Sequence, residues 1–223
     1  ILRDLNALFE IIKICRKVSP RLVCLHSSKA GILGRLAASF LKIPCIFTVH
    51  GWSFSIQTNK AIRTFYFLLE LSLQFLCSHI ITDSFKDKEL AKRLFFKTSK
   101  ITAIANSSAF NDLKKITRIR KNDKNKTRKI KFLNISRFDY QKDHLSLIKA
   151  LSQLPNSLDW EINLIGDGPL IIEAKNYTEK LKLKSRVNFL GFKRNLFNYY
   201  KEADLFILSS NWEGLPITLL DAM

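Results

Sequence analysis

Two acidic side chains near the end of the sequence, Glu213 and Asp221, stand eight positions apart around Gly214-Leu215-Pro216-Ile217-Thr218-Leu219-Leu220. Glycine, proline and an apolar run read as a helix start, because proline is tolerated in a first helical turn. A helix rising about 1.5 Å per residue would separate the carboxylates by roughly 12 Å. Between them would lie unpaired backbone N–H groups at the positive end of the helix dipole, a setting that favours phosphate. Carboxylate, anion cradle and carboxylate suit a ligand with hydroxyls at both ends and phosphates between, which describes a nucleotide-sugar. An amphipathic helix with a carboxylate near its start is the plainer reading of the same residues.

A second group is Asn134-Ile135-Ser136-Arg137-Phe138-Asp139-Tyr140-Gln141-Lys142-Asp143. A buried strand ends here, and two cations follow in the loop. Arginine holds phosphate through two parallel N–H bonds, whereas lysine acts as a mobile point charge. Together Arg137 and Lys142 could neutralise a departing diphosphate. A solvated basic loop is the alternative, but open α/β sheets bind ligands at the carboxyl ends of their strands. A third group is Thr48-Val49-His50-Gly51-Trp52, where His50 follows a strand and precedes a glycine turn. Upstream, His26-Ser27-Ser28-Lys29-Ala30-Gly31 opens a helix of small residues.

The elements that must position these groups alternate. Short apolar runs read as buried parallel strands: Arg21–His26, Cys45–Val49, His79–Thr82, Ile101–Ile104, Ile130–Ile135, Trp160–Ile165, Arg186–Leu190 and Asp204–Leu208. Helical segments fall at Leu2–Lys17, Lys29–Leu41, Gln57–Cys77, Phe85–Lys97, Asp143–Leu151, Pro169–Leu181 and Lys193–Lys201. This order predicts an α/β protein with parallel sheets covered on both faces. The charged stretch 111–129 lacks apolar periodicity and reads as an exposed connector. The expected organisation is residues 1–108 as one partial domain, 109–129 as connector and 130–223 as a second partial domain. The apolar segment Ala61–Cys77 is interrupted by Arg63, Glu70 and Gln74 and is shorter than the roughly 20 residues a span requires. It reads as a core helix, with an interfacial membrane helix as the alternative.

With 47% hydrophobic and 25% charged residues, the 223-residue sequence has the composition of a globular protein with a real core. Cys15, Cys24, Cys45 and Cys77 form no C-x-x-C pair, and most lie within apolar runs, which suits buried, reduced thiols. The net charge of +18 is uneven. Residues 1–108 hold 16 Lys and Arg against 6 Asp and Glu, residues 109–131 hold 10 against 2, and residues 132–223 hold 11 of each. The basic half attracts phosphates, whether of nucleotides, anionic lipid or nucleic acid.

The three groups together resemble the retaining GT-B glycosyltransferases of family 4. Glu213 to Asp221 resembles the family's Glu-x7-Glu signature, with Asp in the second place. Ser136-Arg137 through Lys142 resembles its G-R-x4-K stretch, with Ser136 for glycine. Thr48-Val49-His50-Gly51 resembles its T-x-H-G stretch, and His26-Ser27-Ser28-Lys29-Ala30-Gly31 also matches the family, with Lys29 and Gly31 assigned to helix packing or acceptor-side contacts. Gly166-Asp167-Gly168-Pro169, Val187-Asn188-Phe189-Leu190-Gly191-Phe192 and Ala203-Asp204-Leu205-Phe206-Ile207-Leu208-Ser209-Ser210 follow in the family's order, so the resemblance covers residues 21–223. It implies two Rossmann-like domains facing a cleft, both truncated here, and sugar transfer from a UDP- or GDP-sugar to an acceptor hydroxyl with retention, in the hexosyltransferase class.

In that picture the catalytic residues are His50, Glu213, Arg137 and Lys142. The donor site comprises Arg137, Lys142, Gly191, Phe192, Glu213, Gly214, Leu215 and Asp221. His50 contacts the transferred sugar near its C6 hydroxyl, Glu213 holds the sugar's hydroxyls, Asp221 holds the ribose, and the Gly191–Phe192 backbone meets the base. No D-x-D occurs in the sequence, so no metal and no cofactor are expected. The implied acceptor is a glycan or lipid-linked glycan of bacterial surface polysaccharide. The implied location is cytoplasmic, with the basic half against anionic membrane. Two other readings are an inactive truncated fragment of the same fold and a basic nucleic-acid-binding protein. Against the latter, residues 111–131 carry little aromatic character for base stacking.

Overall fold

The computed structural model describes residues 2–55, 59–94, 96–108 and 129–223. Nearly all of the expected connector therefore lies outside the described residues. The chain divides into two compact units: Ile1–Asn106 with Glu213–Leu215, and Ser107–Trp212 with Pro216–Met223.

The first unit runs α1 (Leu2–Val18), β1 (Val23–His26), α2 (Ser28–Phe40), β2 (Cys45–Val49), α3 (Lys60–Leu73), β3 (His79–Thr82), α4 (Phe85–Arg93) and β4 (Ile101–Ala103). All strand pairs are parallel, in the order β1-β2-β3-β4. The helices are closed by local chemistry. Asn59 Oδ1 accepts from the Ala61 N–H, and Ser84 Oγ accepts from the Asp87 N–H. The small residues of α2 allow close approach: a Cβ on Gly31 would meet the Phe47 ring at 2.3 Å, and one on Gly34 would meet Leu25 at 2.1 Å. Gly31 thus packs α2 against Phe47, one of the two roles expected for it.

Helix α3 is two-sided. Tyr66, Phe67 and Leu71 pack on the core, whereas Ile62, Phe65 and Leu68 face outward. Its Glu70 is buried and meets Arg35 Nη2 at 2.7 Å. Arg35 is fully buried, also donates from Nε to Gly31 O, and lies 4.3 Å from the Phe47 ring centroid. Burial raises the Glu70 carboxyl above its usual range; the Arg35 charge opposes that shift. Among the described residues no helix is long and apolar enough to cross a membrane.

The second unit runs β5 (Ile130–Ile135), α5 (His144–Leu151), β6 (Trp160–Ile165), α6 (Ile171–Lys180), β7 (Val187–Gly191), α7 (Phe197–Glu202), β8 (Leu205–Phe206) and α8 (Ile217–Ala222). Its sheet is also parallel, in the order β7-β6-β5-β8. Central β5 and β6 read as apolar runs because the sheet buries them; Leu133, Ile162 and Leu164 are at most 1% exposed. One expected boundary moves. The helix begins at Ile217, after Pro216, instead of at Gly214. Proline disfavours helical backbone in the residue before it, here Leu215, so the turn cannot form across Gly214–Leu215. Glu213 therefore precedes the helix, and the 12 Å helical spacing does not apply.

Candidate functional site

In the first unit three neighbouring strand ends converge. His26 closes β1, His50 follows β2 and Asp83 follows β3. The register sets Val23–His26 beside Cys45–Thr48, and Val49 beside Thr82. Parallel strands lie about 4.8 Å apart, so residues at their carboxyl ends become neighbours. His50 Nδ1 lies 3.2 Å from Asp83 Oδ2, and His50 Nε2 lies 3.0 Å from His26 Nδ1. The two imidazoles stack, with centroids 5.3 Å apart. Trp52 anchors the loop that carries His50: its ring packs on Phe54 and Phe96, and its Nε1–H donates to Asp87 O at 2.9 Å. Asn106 Nδ2 donates to Leu215 O at 2.9 Å and lies 3.4 Å from Asp83 Oδ2. Gly214 sits so close that a Cβ there would be 3.1 Å from Asp83 Oδ1 and 3.3 Å from His50 O. Of the expected donor residues, half-buried Glu213, Gly214 and Leu215 belong to this unit with His50.

In the second unit the loops after β5, β6 and β7 are fastened to one another. The Phe138 N–H donates to Asp167 O, Leu170 N–H to Phe138 O, Ser136 N–H to Ile165 O, and Gly166 N–H to Gly191 O. Arg137 and Lys142 share the first of these loops. Phe138, fully buried, stacks on His144 with centroids 3.9 Å apart. On its other side the loop holds the segment that leads to Glu213. Ser209 Oγ donates to Lys142 O, Gln141 Nε2 to Trp212 O, and Asn211 Nδ2 to Tyr140 O. The Arg137 side chain is 70% exposed, with Nε 3.9 Å from Asp139 Oδ2. Asp143, with φ 45°, caps α5 by accepting from the Ser146 N–H. The following His144 is buried, and burial lowers its pKa to about 4, against the opposing charges of Asp139 and Asp143.

Gly191 adopts φ +67° and Phe192 is exposed. Asp221, on α8, is only 6% exposed and accepts from Ser108 Oγ at 2.6 Å. Burial, and then the Asp221 charge, raises the Tyr200 hydroxyl well above its ordinary pKa, while that hydroxyl donates to Thr218 O. The sequence motifs did not single out Asp83 or Asn106, and they noted His26 without a role. The signal for Asp83 was available: it is the first polar side chain after a buried strand, in the place that His50 occupies on the strand beside it. Among the described residues no group of three or more His, Cys, Asp and Glu is placed to hold a metal ion.

Two family models account for nearly the whole chain: Glycosyltransferase Family 4 over residues 1–107 and Glycosyl transferases group 1 over residues 115–223. The chain belongs to the group 1, family 4 glycosyltransferases, and its two Rossmann-like units have the GT-B fold. It is 34% identical to the Escherichia coli UDP-Gal:alpha-D-GlcNAc-diphosphoundecaprenol alpha-1,3-galactosyltransferase, over 100% of this chain and 60% of that protein. It is 27% identical to the O-antigen biosynthesis glycosyltransferase WbnH of E. coli, over 98% of this chain and 60% of that protein. The chain thus spans about 60% of the length of these curated relatives. Among solved structures, Anabaena Alr3699/HepE in complex with UDP and glucose matches with a TM-score of 0.73 at 18% identity, covering 96% of this chain and 59% of that one. Sucrose-phosphate synthase from Thermosynechococcus elongatus matches with a TM-score of 0.74 at 18% identity, covering 97% and 58%.

Proposed function

We propose that the protein transfers a sugar from a nucleotide-sugar, UDP- or GDP-linked, to a hydroxyl of a lipid-linked glycan in bacterial surface polysaccharide synthesis, with retention at the anomeric carbon. The observation that carries this reading is the loop after β5. It holds Arg137 and Lys142 at the carboxyl edge of a parallel sheet, fastened on both sides by backbone bonds. Two cations on a rigid loop suit a diphosphate leaving group, whose charge grows as the sugar departs. Glu213 would hold donor-sugar hydroxyls, His50 the transferred sugar, Asp221 the ribose and the Gly191–Phe192 backbone the base. Kinship with a galactosyltransferase named for a diphosphoundecaprenol acceptor supports a lipid-linked acceptor.

The test is transfer by the full-length protein from radiolabelled UDP-sugars and GDP-sugars to a GlcNAc-diphosphopolyprenol, with the product's anomeric linkage read by NMR. Retention gives an α-linked product from an α-linked donor. Activity in excess EDTA is expected, because the charge is met by side chains. A β-linked product rejects retention, and EDTA loss reversed by Mn²⁺ rejects the metal-free assignment. We further propose that the basic first half holds the protein against anionic lipid, each Lys or Arg near the surface contributing about 1 kcal/mol. Liposome co-sedimentation should then be strong on anionic vesicles and weaken with salt; equal binding to neutral vesicles refutes it.

A further inference from the structure

With both imidazoles neutral, the His26–His50–Asp83 cluster admits one proton order. A carboxylate only accepts, so the hydrogen between Asp83 Oδ2 and His50 belongs to His50 Nδ1. Neutral His50 then presents a lone pair at Nε2. His26 Nδ1 faces that lone pair at 3.0 Å, so His26 must supply the N–H there. Direction therefore runs inward, from His26 through His50 to Asp83. Were Asp83 not an acceptor, His50 could as well carry its hydrogen on Nε2, and its outer face would turn from acceptor to donor.

Asp83 is built to impose this. It is 4% exposed, and its backbone N–H donates to Val49 O at the end of β2. Asn106, three residues after β4, approaches the same Oδ2, and Gly214 closes over Oδ1. Among the described residues Oδ1 is buried without a hydrogen-bond partner. A buried carboxylate oxygen left unsatisfied costs stability, and a role at a functional site is one explanation for its being kept. Among the described residues, the contacts of the His50 ring include Asp83 and His26.

We propose that Asp83 is a positioning residue of the transfer site, acting through His50. It holds the imidazole in the Nδ1–H form, so that the Nε2 lone pair can accept from a hydroxyl of the bound sugar. His26 Nδ1 donates at that same atom and gives way to the hydroxyl when the sugar arrives. This rests on the function proposed above. It adds that the specificity of the site includes a directional demand: the ligand group at His50 Nε2 must be a donor. A sugar with fluorine or hydrogen in place of that hydroxyl loses the bond and leaves the lone pair opposite nothing better than His26.

The decisive measurement is the ¹⁵N spectrum of histidine-labelled full-length protein, with His50 assigned by comparison with His50→Gln. The expected parent spectrum has His50 in the Nδ1–H form. Asp83→Ala should give a mixture of tautomers with little change in Tm, and Asp83→Asn, whose amide N–H can donate to Nδ1, should shift His50 toward the Nε2–H form. In transfer assays Asp83→Ala should lower kcat at least about tenfold, and Asp83→Asn should not restore it, because it turns the outer face of His50 into a donor. An Nε2–H His50 in the parent overturns the proposal, and this result alone decides if the alanine variant does not fold. An unchanged His50 spectrum in Asp83→Ala overturns it as well. A parent with the expected spectrum that transfers no sugar from any nucleotide-sugar refutes the glycosyl-transfer reading instead.

Discussion

Gly166 lies directly against the backbone of Ser136: a Cβ on Gly166 would stand 2.0 Å from the Ser136 carbonyl oxygen. Two residues on, a Cβ on Gly168 would stand 2.4 Å from Phe138 O. The glycines at both ends of Asp167 are therefore what let the loop after β6 press on the loop that carries Arg137. Gly166 also has φ +143°, where a side chain is strained.

Gly166→Ala should accordingly separate the two loops and cost about 2 kcal/mol or more, a fall in Tm of several degrees. Differential scanning calorimetry checks it. A variant that melts with the parent would show that the loops are not in contact in solution.

His144 makes stability depend on pH. Its folded pKa of about 4 lies below the usual 6.5, so between these values the unfolded chain binds the extra proton. The buried neutral ring contributes fully above about pH 6.5, and the contribution is lost as pH falls toward about 4, on the order of 3 kcal/mol in all. Urea unfolding from pH 7 to pH 4 should show this slope, and His144→Gln should flatten it. Parallel pH profiles for the two proteins would rule the assignment out.

Arg35 and Glu70 form an ion pair with neither side chain more than 2% exposed. Glu70→Ala strands a buried guanidinium and should destabilise by about 3–5 kcal/mol. Replacing both, as Arg35→Met with Glu70→Leu, should be much milder, because no charge is left buried. Equal losses in the single and double variants would contradict this account.

Lys142→Ala in the full-length protein should lower kcat more than it raises KM, since its charge matters most as the diphosphate leaves. The loop should survive the change, because its bonds to Ser209 and Asp139 use the Lys142 backbone. An unchanged kcat with a raised KM would place the lysine in ground-state binding.

The order of elements was legible in the sequence because each reports its own burial. Ile130–Ile135 and Trp160–Ile165 are apolar runs that the sheet covers on both faces, and they fall where expected. The basic loop was legible too, since Arg137 and Lys142 need only a strand end before them. The start of α8 was not legible in Gly214-Leu215-Pro216, because Pro216 constrains the residue before it more than the residues after it and the helix begins only at Ile217.

What the linear sequence could not supply was adjacency. Asp83 lies 33 positions from His50, and no spacing rule links them. Only the parallel register of β2 and β3 brings their ends together, and only the close approach of Asn106 and Gly214 fixes the carboxylate. Asp221 shows the same limit: its motif names a carboxylate, whereas its burial and its bond to Ser108, 113 positions away, are properties of the folded unit. Composition, periodicity and local motifs determine strands, helices and the chemical types at the loop ends, because those depend on near neighbours. Hydrogen-bond direction, tautomer and burial depend on groups that only folding makes neighbours, and the tertiary structure decided them.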